Sequence, residues 1–130
     1  MALTPYPVQV WPVPGGAANI AATATPLGQG ISVHSQRSCI LNIPVTAVNH
    51  AGTLDIKLVG IDAWGNSYDI PGASVTQIVG VSDRVLHVGP GLQAIPNQSV
   101  PGLLPAAIQV YATIGGGGDF DIQVCLHLID

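Results

Sequence analysis

The stretch DFDIQVCLHL, residues 119–128, alternates apolar and polar side chains over its whole length. A period of two is the pattern of a β-strand with one face in a core and the other outside it. The predicted inward face consists of Phe120, Ile122, Val124, Leu126 and Leu128, and the outward face of Asp119, Asp121, Gln123, Cys125 and His127. This stretch therefore predicts one strand of an all-β domain.

The same alternation recurs upstream, interrupted by turns. In residues 39–47 the odd positions are predicted to face inward, namely Cys39, Leu41, Ile43, Val45 and Ala47. Pro44 within this run favours an edge strand or a bulge, because proline cannot donate to a strand ladder. Shorter alternating runs follow over 54–58, 75–81 and 108–114. Residues 89–107, with four prolines and three glycines, predict a long surface loop.

About seven or eight short strands, separated by Gly/Pro turns and without an amphipathic helix, predict an all-β fold. The expected architecture is a single-domain antiparallel β-sandwich, or a jelly-roll-like barrel, with an extended Pro-rich N-terminal arm. The pattern leaves open whether the strands follow a jelly-roll or an immunoglobulin-like order.

The N-terminal segment differs from the rest in composition. Residues 1–30 are predicted to form an extended arm and linker, and residues 31–130 the β-sandwich domain. Prolines at positions 5, 7, 12 and 14 fix the backbone in an extended conformation and remove backbone donors. The arm is also apolar, and it is poorly suited to lie free in water. We therefore expect it to pack on its own domain or on a neighbour, through Tyr6, Val8, Val10, Trp11 and Val13.

Charged residues are scarce. They make up 8% of the 130 residues, with no Glu and a net charge of -4, against roughly 25% in ordinary soluble domains. Three basic residues cannot line a phosphate backbone or an anionic lipid surface, so we expect neither a nucleic-acid nor a membrane partner. The sequence contains no apolar run of ~18 residues, so it predicts no transmembrane helix. The N-terminal sequence lacks the features of a signal peptide, so we expect the protein to be made and used without Sec export.

The predicted outward faces are partly apolar, and apolar patches on a chain with few charges tend to associate. We therefore predict a homo-oligomer. The candidate interface residues are Ile40, Val59, Ile61 and Tyr111.

No motif predicts catalysis, a metal site or a cofactor. The glycines at 115–118 are followed by Asp-Phe rather than Lys-Ser/Thr, so they predict a turn and not a phosphate loop. Cys125 and His127 share a predicted face, but two ligands fall short of a zinc site. The Asp pair at 119–121 lacks the further ligands of a calcium loop. Cys39 is predicted to face away from Cys125, which indicates two free thiols.

Several segments occur in a suggestive order: LDIKLVGID, the aromatic turn AWGN, the return strand SYDI, VLHVGPGLQA, LLPAAIQVYATIGG and the final DFDIQVCLHLI. Over residues 37–129 this order resembles small virion structural proteins of tailed bacteriophages. The resemblance implies a non-catalytic capsid decoration (cement) protein, commonly a trimer at local three-fold positions of the outer shell. Its partner would be the major capsid protein. It would lie on the capsid surface of the virion after synthesis in the host cytoplasm.

On this hypothesis residues 4–16, anchored by Tyr6 and Trp11, clamp the capsid protein, and deletion of residues 1–16 abolishes capsid binding while leaving the domain folded. Two alternatives stay open. One is another virion component with the same fold, such as a tail, neck or fibre-base protein. The other is a carbohydrate-binding or adhesion module that uses Trp64 and the 89–107 loop. An enzyme is the least supported class, because no catalytic constellation is present in the sequence.

Overall fold

The computed structural model describes residues 6–12, 18–21, 24–33, 37–102 and 104–129. Over these ranges the chain forms eleven strands and no helix. The strands are β1 (Tyr6–Trp11), β2 (Asn19–Ile20), β3 (Ala24–Ser32), β4 (Ser38–His50), β5 (Thr53–Ile61), β6 (Ser67–Ile78), β7 (Ser82–Gly89), β8 (Ser99–Pro101), β9 (Ala107–Gly115), β10 (Asp119–Ile122) and β11 (Val124–Ile129).

The strands form two sheets. In the seven-stranded sheet, β4 is central, with β7 along one edge and β10 and β11 end to end along the other. Strands β1 and β2 flank β11 and β10, and β8 runs parallel to β7. The four-stranded sheet has the order β3-β9-β5-β6 and is antiparallel throughout.

This strand order is that of a jelly roll. Strands β1 and β2 lie one after the other along β11 and β10. We therefore count β1 and β2 together as one interrupted strand, and β10 and β11 together as another. With β8 set aside, the first strand then pairs with the last, the second with the seventh, the third with the sixth and the fourth with the fifth. Two Greek keys wound in this way form a double-sheet jelly roll. The predicted all-β sandwich is confirmed, and the order left open by the sequence is the jelly-roll one.

The core lies between the two sheets and follows the alternation of the sequence. The five inward positions predicted in β10 and β11 are all buried, with Phe120 the largest fully buried side chain. The predicted face of β4 holds from Cys39 to Val45. It then changes side, because a register shift against β10 leaves Ala47 opposite Asp121 and turns Val48 towards the core. Pro44 therefore lies just before a bulge, and in the central strand rather than at an edge.

The predicted division at residues 30 and 31 falls inside β3, and the arm is not separate over its described part. Strand β1 pairs with β11, and β3 pairs with β9. Val10, Ile20 and Leu27 are core residues. The segment packs on its own domain because its side chains are apolar. The sequence had left open whether it would pack there or on a neighbour. Residues 1–5 and 13–17 lie outside the described ranges.

Two further expectations are corrected in β6 and after β7. Strand β6 continues through Pro71 and Gly72, where its register against β5 is irregular. Gln77 has a φ of 58°, which breaks the alternation predicted for 75–81 and buries Ile78 instead of Val79. The predicted 89–107 loop contains β8, and Ile95 forms an isolated bridge with Ser99.

Candidate interaction surfaces

Within the described ranges, no three His, Cys, Asp or Glu side chains converge to hold a metal ion. The predicted pair Asp119 and Asp121 is instead bound by amides. Asn49 Nδ2 donates to a carboxylate oxygen of each, at 3.2 and 3.1 Å, and Asn19 Nδ2 donates to Asp119. This arrangement holds β10 against the ends of β2 and β4.

Both cysteines are free, as their opposite orientations predicted. Cys39 is fully buried in β4, while Cys125 is half-buried on the outer face of β11. Burial raises the pKa of the Cys39 thiol from 9.0 to about 12, against a smaller opposing effect of a backbone hydrogen bond at Val88. A thiol reacts as its thiolate, so Cys39 is inert at neutral pH.

We expect a thiol reagent such as Ellman's reagent to label Cys125 in the native protein at pH 8 and Cys39 only after denaturation.

The raised pKa of Cys39 also makes the stability of the protein depend on pH, because the unfolded thiol ionises near 9 and the folded one near 12. The stabilisation from the protonated thiol is complete below pH 9 and is lost as the pH rises towards 12. Denaturation of wild type and Cys39→Ala between pH 8 and 11 measures this. Equal slopes for the two proteins would contradict it.

The residues predicted for a capsid-binding arm are divided between core and surface. Val10 is buried, Val8 packs half-buried against the core, and the indole Nε1 of Trp11 donates to the Ala18 carbonyl at 3.1 Å. Because it is buried, the side chain of Val10 cannot contact a partner protein. The backbone of Tyr6 pairs with Leu128, and Val13 lies outside the described residues. A groove of about 420 Å³ lies beside Trp11, lined also by Gln9, Pro12, Asn42, Pro44 and Cys125.

The residues predicted for the oligomer interface lie on opposite faces. Ile40 is on the outer side of the seven-stranded sheet, between His127 of β11 and His87 of β7. Val59, Ile61 and Tyr111 belong to the four-stranded sheet, and Val59 is only 2% exposed. The four side chains cannot form one patch, because the core separates the two sheets.

The outer face of the seven-stranded sheet is uncharged over three adjacent strands. Strands β1, β11 and β4 contain no Asp, Glu, Lys or Arg. At the centre of this sheet, Cys125 of β11, Asn42 of β4 and Val85 of β7 lie side by side. The opposite face of the molecule carries Asp55, Lys57 and Asp69, and Lys57 Nζ contacts an Asp69 carboxylate oxygen at 2.9 Å. We call the outer side of β1, β11 and β4 the uncharged face.

The hairpin between β5 and β6 presents a tryptophan on a fixed turn. One carboxylate oxygen of Asp62 accepts hydrogen bonds from the amides of Trp64 and Asn66, both at 2.9 Å. The backbone of Asp62 also bonds Asn66 and Gly65, and Gly65 has a φ of 84°, which favours glycine. Trp64 is 89% exposed at the tip of this turn. We call residues 62–66 the Trp64 turn.

A second groove, of about 340 Å³, lies between β6 and the segment that leads into β8. Its lining includes Pro71, Pro96 and Pro101 with Ile95 and Val100, and none of its lining residues is charged. Asn97, with a φ of 62°, holds the segment by accepting hydrogen bonds from the amide and hydroxyl of Thr76. We call it the proline groove. Sequence reasoning missed it, because its prolines each appear as separate local turn signals.

No helix that could cross a membrane occurs in the part of the chain that the structure describes. No family model matches the sequence, and the search of curated proteins found no match.

Among solved structures, the fold is similar to a chain in the crystal structure of the T13 IBDV viral particle. The TM-score is 0.55 at 9% sequence identity, over 98% of this chain and 31% of that chain. A chain in the structure of the infectious bursal disease virus Gt strain gives a TM-score of 0.40 at 13% identity, over 99% and 31% of the two chains. The chain thus spans 31% of the length of each. The strand order makes this chain a jelly-roll domain, and the first likeness shows that its fold also occurs in a chain of that viral particle.

Proposed function

We propose that the chain is a virion structural protein and acts as a capsid decoration (cement) protein, bound to the outer surface of the major capsid shell. The observation that carries this proposal is a jelly roll similar, over 98% of this chain, to part of a viral-particle protein. The uncharged face supports a role in contact rather than catalysis. On this proposal the protein lies on the capsid surface, after synthesis in the host cytoplasm.

The uncharged face is the surface that we assign to the shell. A protein interface excludes water from its centre, and an unpaired charge there is costly. A face without Asp, Glu, Lys or Arg on β1, β11 and β4 meets this requirement. The groove beside Trp11 opens on it and offers a recess for an apolar side chain of the capsid protein. Trp11 thus keeps part of its predicted role, without a free arm.

Shell stabilisation follows from mass action. A protein that binds the assembled shell and not its dissociated subunits shifts the equilibrium towards the shell. If three copies act as one unit, as expected for a decoration trimer, weak single contacts combine into strong binding. Neither step requires a reactive group, a metal ion or a cofactor.

Asn42→Lys tests the docking face. Asn42 lines the groove at the centre of the uncharged face, so a lysine there would be buried without a partner on shell binding. We expect at least a tenfold loss of affinity, of the order found for unpaired interfacial charges. The assay is co-sedimentation with empty shells of the virus that encodes the chain. Thr113→Lys, on the exposed outer side of β9, is the matched control and should bind normally.

Equal binding by Asn42→Lys and Thr113→Lys would contradict the assigned face while leaving decoration possible through another surface. No binding of wild type to shells would contradict decoration itself. A tail, neck or fibre-base protein would then be the remaining virion role, recognised by its copy number per particle and by co-purification with tails instead of heads.

A further inference from the structure

The Trp64 turn has the features of an interaction anchor. A tryptophan that is 89% exposed is unusual on a monomer, whereas tryptophan is enriched among the residues that dominate protein interfaces. The hydrogen bonds that the backbone amides of Trp64 and Asn66 donate to the Asp62 carboxylate fix the turn before binding. A preorganised anchor loses less conformational entropy when it docks.

The surroundings of Trp64 favour a protein pocket over a sugar as its partner. Its neighbours in the turn are small, Ala63 and Gly65, so the indole projects from a convex tip. Sugar and other small-ligand sites are concave and combine an apolar surface with converging polar groups. The carboxylate of the turn, that of Asp62, already accepts hydrogen bonds from two backbone amides of the turn. The indole therefore fits as a knob into a recess of another protein.

The proline groove is such a recess, and it lies on the same chain. Its volume of about 340 Å³ is at the lower end of the roughly 300–1,000 Å³ of pockets that bury drug-sized ligands, which are larger than an indole. Its walls are Pro71, Pro96, Pro101 and Ile95, without a charged residue. Because none of the residues lining the groove is charged, the carboxylate of Asp62 in the Trp64 turn meets no like charge there, which is favourable for two copies of a chain with a net charge of -4.

We infer that Trp64 of one copy inserts into the proline groove of a second copy, and that this contact builds the oligomer. The inference rests on the proposed self-association and names its contact. Knob and groove are different surfaces, so the contact is heterologous, and repetition gives a closed ring or an open chain. A ring of three would be the decoration trimer, with the uncharged face left available for the shell.

Light scattering on a sizing column and tryptophan fluorescence test the contact. Trp64→Ala removes the knob from an exposed tip, and Ala94→Arg fills the proline groove, while Gln93→Arg is the control one residue away and outside the groove lining. We expect wild type and Gln93→Arg to assemble, and the other two to run near 13.3 kDa. The dissociation constant should rise by roughly 30-fold or more, as for other interface anchors.

Two further measurements separate this contact from a general loss of association. Mixing Trp64→Ala with Ala94→Arg should give a two-chain species, because one partner retains the knob and the other the groove. In Trp11→Phe, Trp64 is the only tryptophan. Its emission should shift to shorter wavelength as concentration rises and the indole leaves water.

Each failure has its own meaning. If wild type assembles and Trp64→Ala assembles equally, the inferred contact is wrong and self-association stands. If Trp64→Ala is monomeric but Ala94→Arg assembles, the proline groove is not the partner of Trp64, which overturns the inference. If wild type is monomeric at every concentration, both the contact and self-association fail. Saturable glycan binding by such a monomer, lost in Trp64→Ala, would favour the adhesion alternative.

Discussion

Val10→Asp should unfold the protein, or destabilise it by more than about 4 kcal/mol, whereas Gln9→Asp should leave it folded. Val10 is 4% exposed in β1 and belongs to the core between the sheets. The substitution loses the burial of a valine, about 1.5–3 kcal/mol. It also places a carboxylate in apolar surroundings, where an unpaired charge costs several kcal/mol more. Domains of this kind are stable by only about 5–15 kcal/mol in total.

Gln9 is the matched control, because it precedes Val10 in the same strand and its side chain is exposed. Its amide donates to the Pro12 carbonyl at 2.7 Å, an exposed hydrogen bond whose loss is expected to cost about 1 kcal/mol. Urea denaturation of the three proteins gives the comparison. Equal midpoints for Val10→Asp and Gln9→Asp would show that β1 is dispensable, as expected for a free arm.

The same argument applies to deletion of residues 1–16. Sequence reasoning expects the truncated domain to stay folded and only shell binding to be lost. The structure gives the opposite expectation for stability, because the deletion removes β1 and exposes the edge of β11. Loss of shell binding in a truncated protein would therefore not identify an arm. Point substitutions such as Asn42→Lys separate binding from folding.

Strand alternation was predictable because it depends on neighbouring residues. A period of two located β10 and β11, and most of β4, correctly. The error at Ala47 and Val48 arose from a register shift set by β10, which lies about 70 residues away, as in the Asn49–Asp119 contact. The role of β1 was missed because the prolines in and around it, at positions 5, 7, 12 and 14, resemble those of a linker. The partner that makes it a strand, β11, is at the other end of the chain.

The candidate surfaces also differ in whether residues that are adjacent in the sequence define them. Trp64 and the turn signal around it are adjacent in sequence, so an exposed aromatic could be proposed from the sequence alone. The proline groove depends on the irregular path of β6 and on Asn97 reaching Thr76, 21 residues away. The uncharged face depends on β1, β11 and β4 being neighbours. Composition showed that charge was scarce but not where the remaining charges would lie.

Gly52→Ala is expected to be the most damaging single-methyl substitution at the end of the sandwich where β4 turns into β5. A Cβ on Gly52 would lie 2.5 Å from the Gly118 Cα and closer still to the Gly115 carbonyl oxygen. Both obstacles are backbone atoms, and neither can move freely. Gly115 ends β9 opposite Thr53, and Gly118 lies against the ring of Phe120. Overpacking of this kind costs typically 1–3 kcal/mol, so we expect a loss near 3 kcal/mol.

Gly80→Ala is the matched control, because it makes the same exchange in the turn from β6 to β7 at the same end of the molecule. A Cβ there meets no atom within 4 Å, and the φ of Gly80 lies outside the left-handed region. Alanine at such a position reduces the entropy of the unfolded chain and is expected to stabilise by about 0.4–1 kcal/mol. The two variants should therefore move the urea midpoint in opposite directions. Similar midpoints for both would mean that the β4–β5 turn and the β9–β10 turn do not pack as the structure has them, and the closure of this end of the jelly roll would need revision.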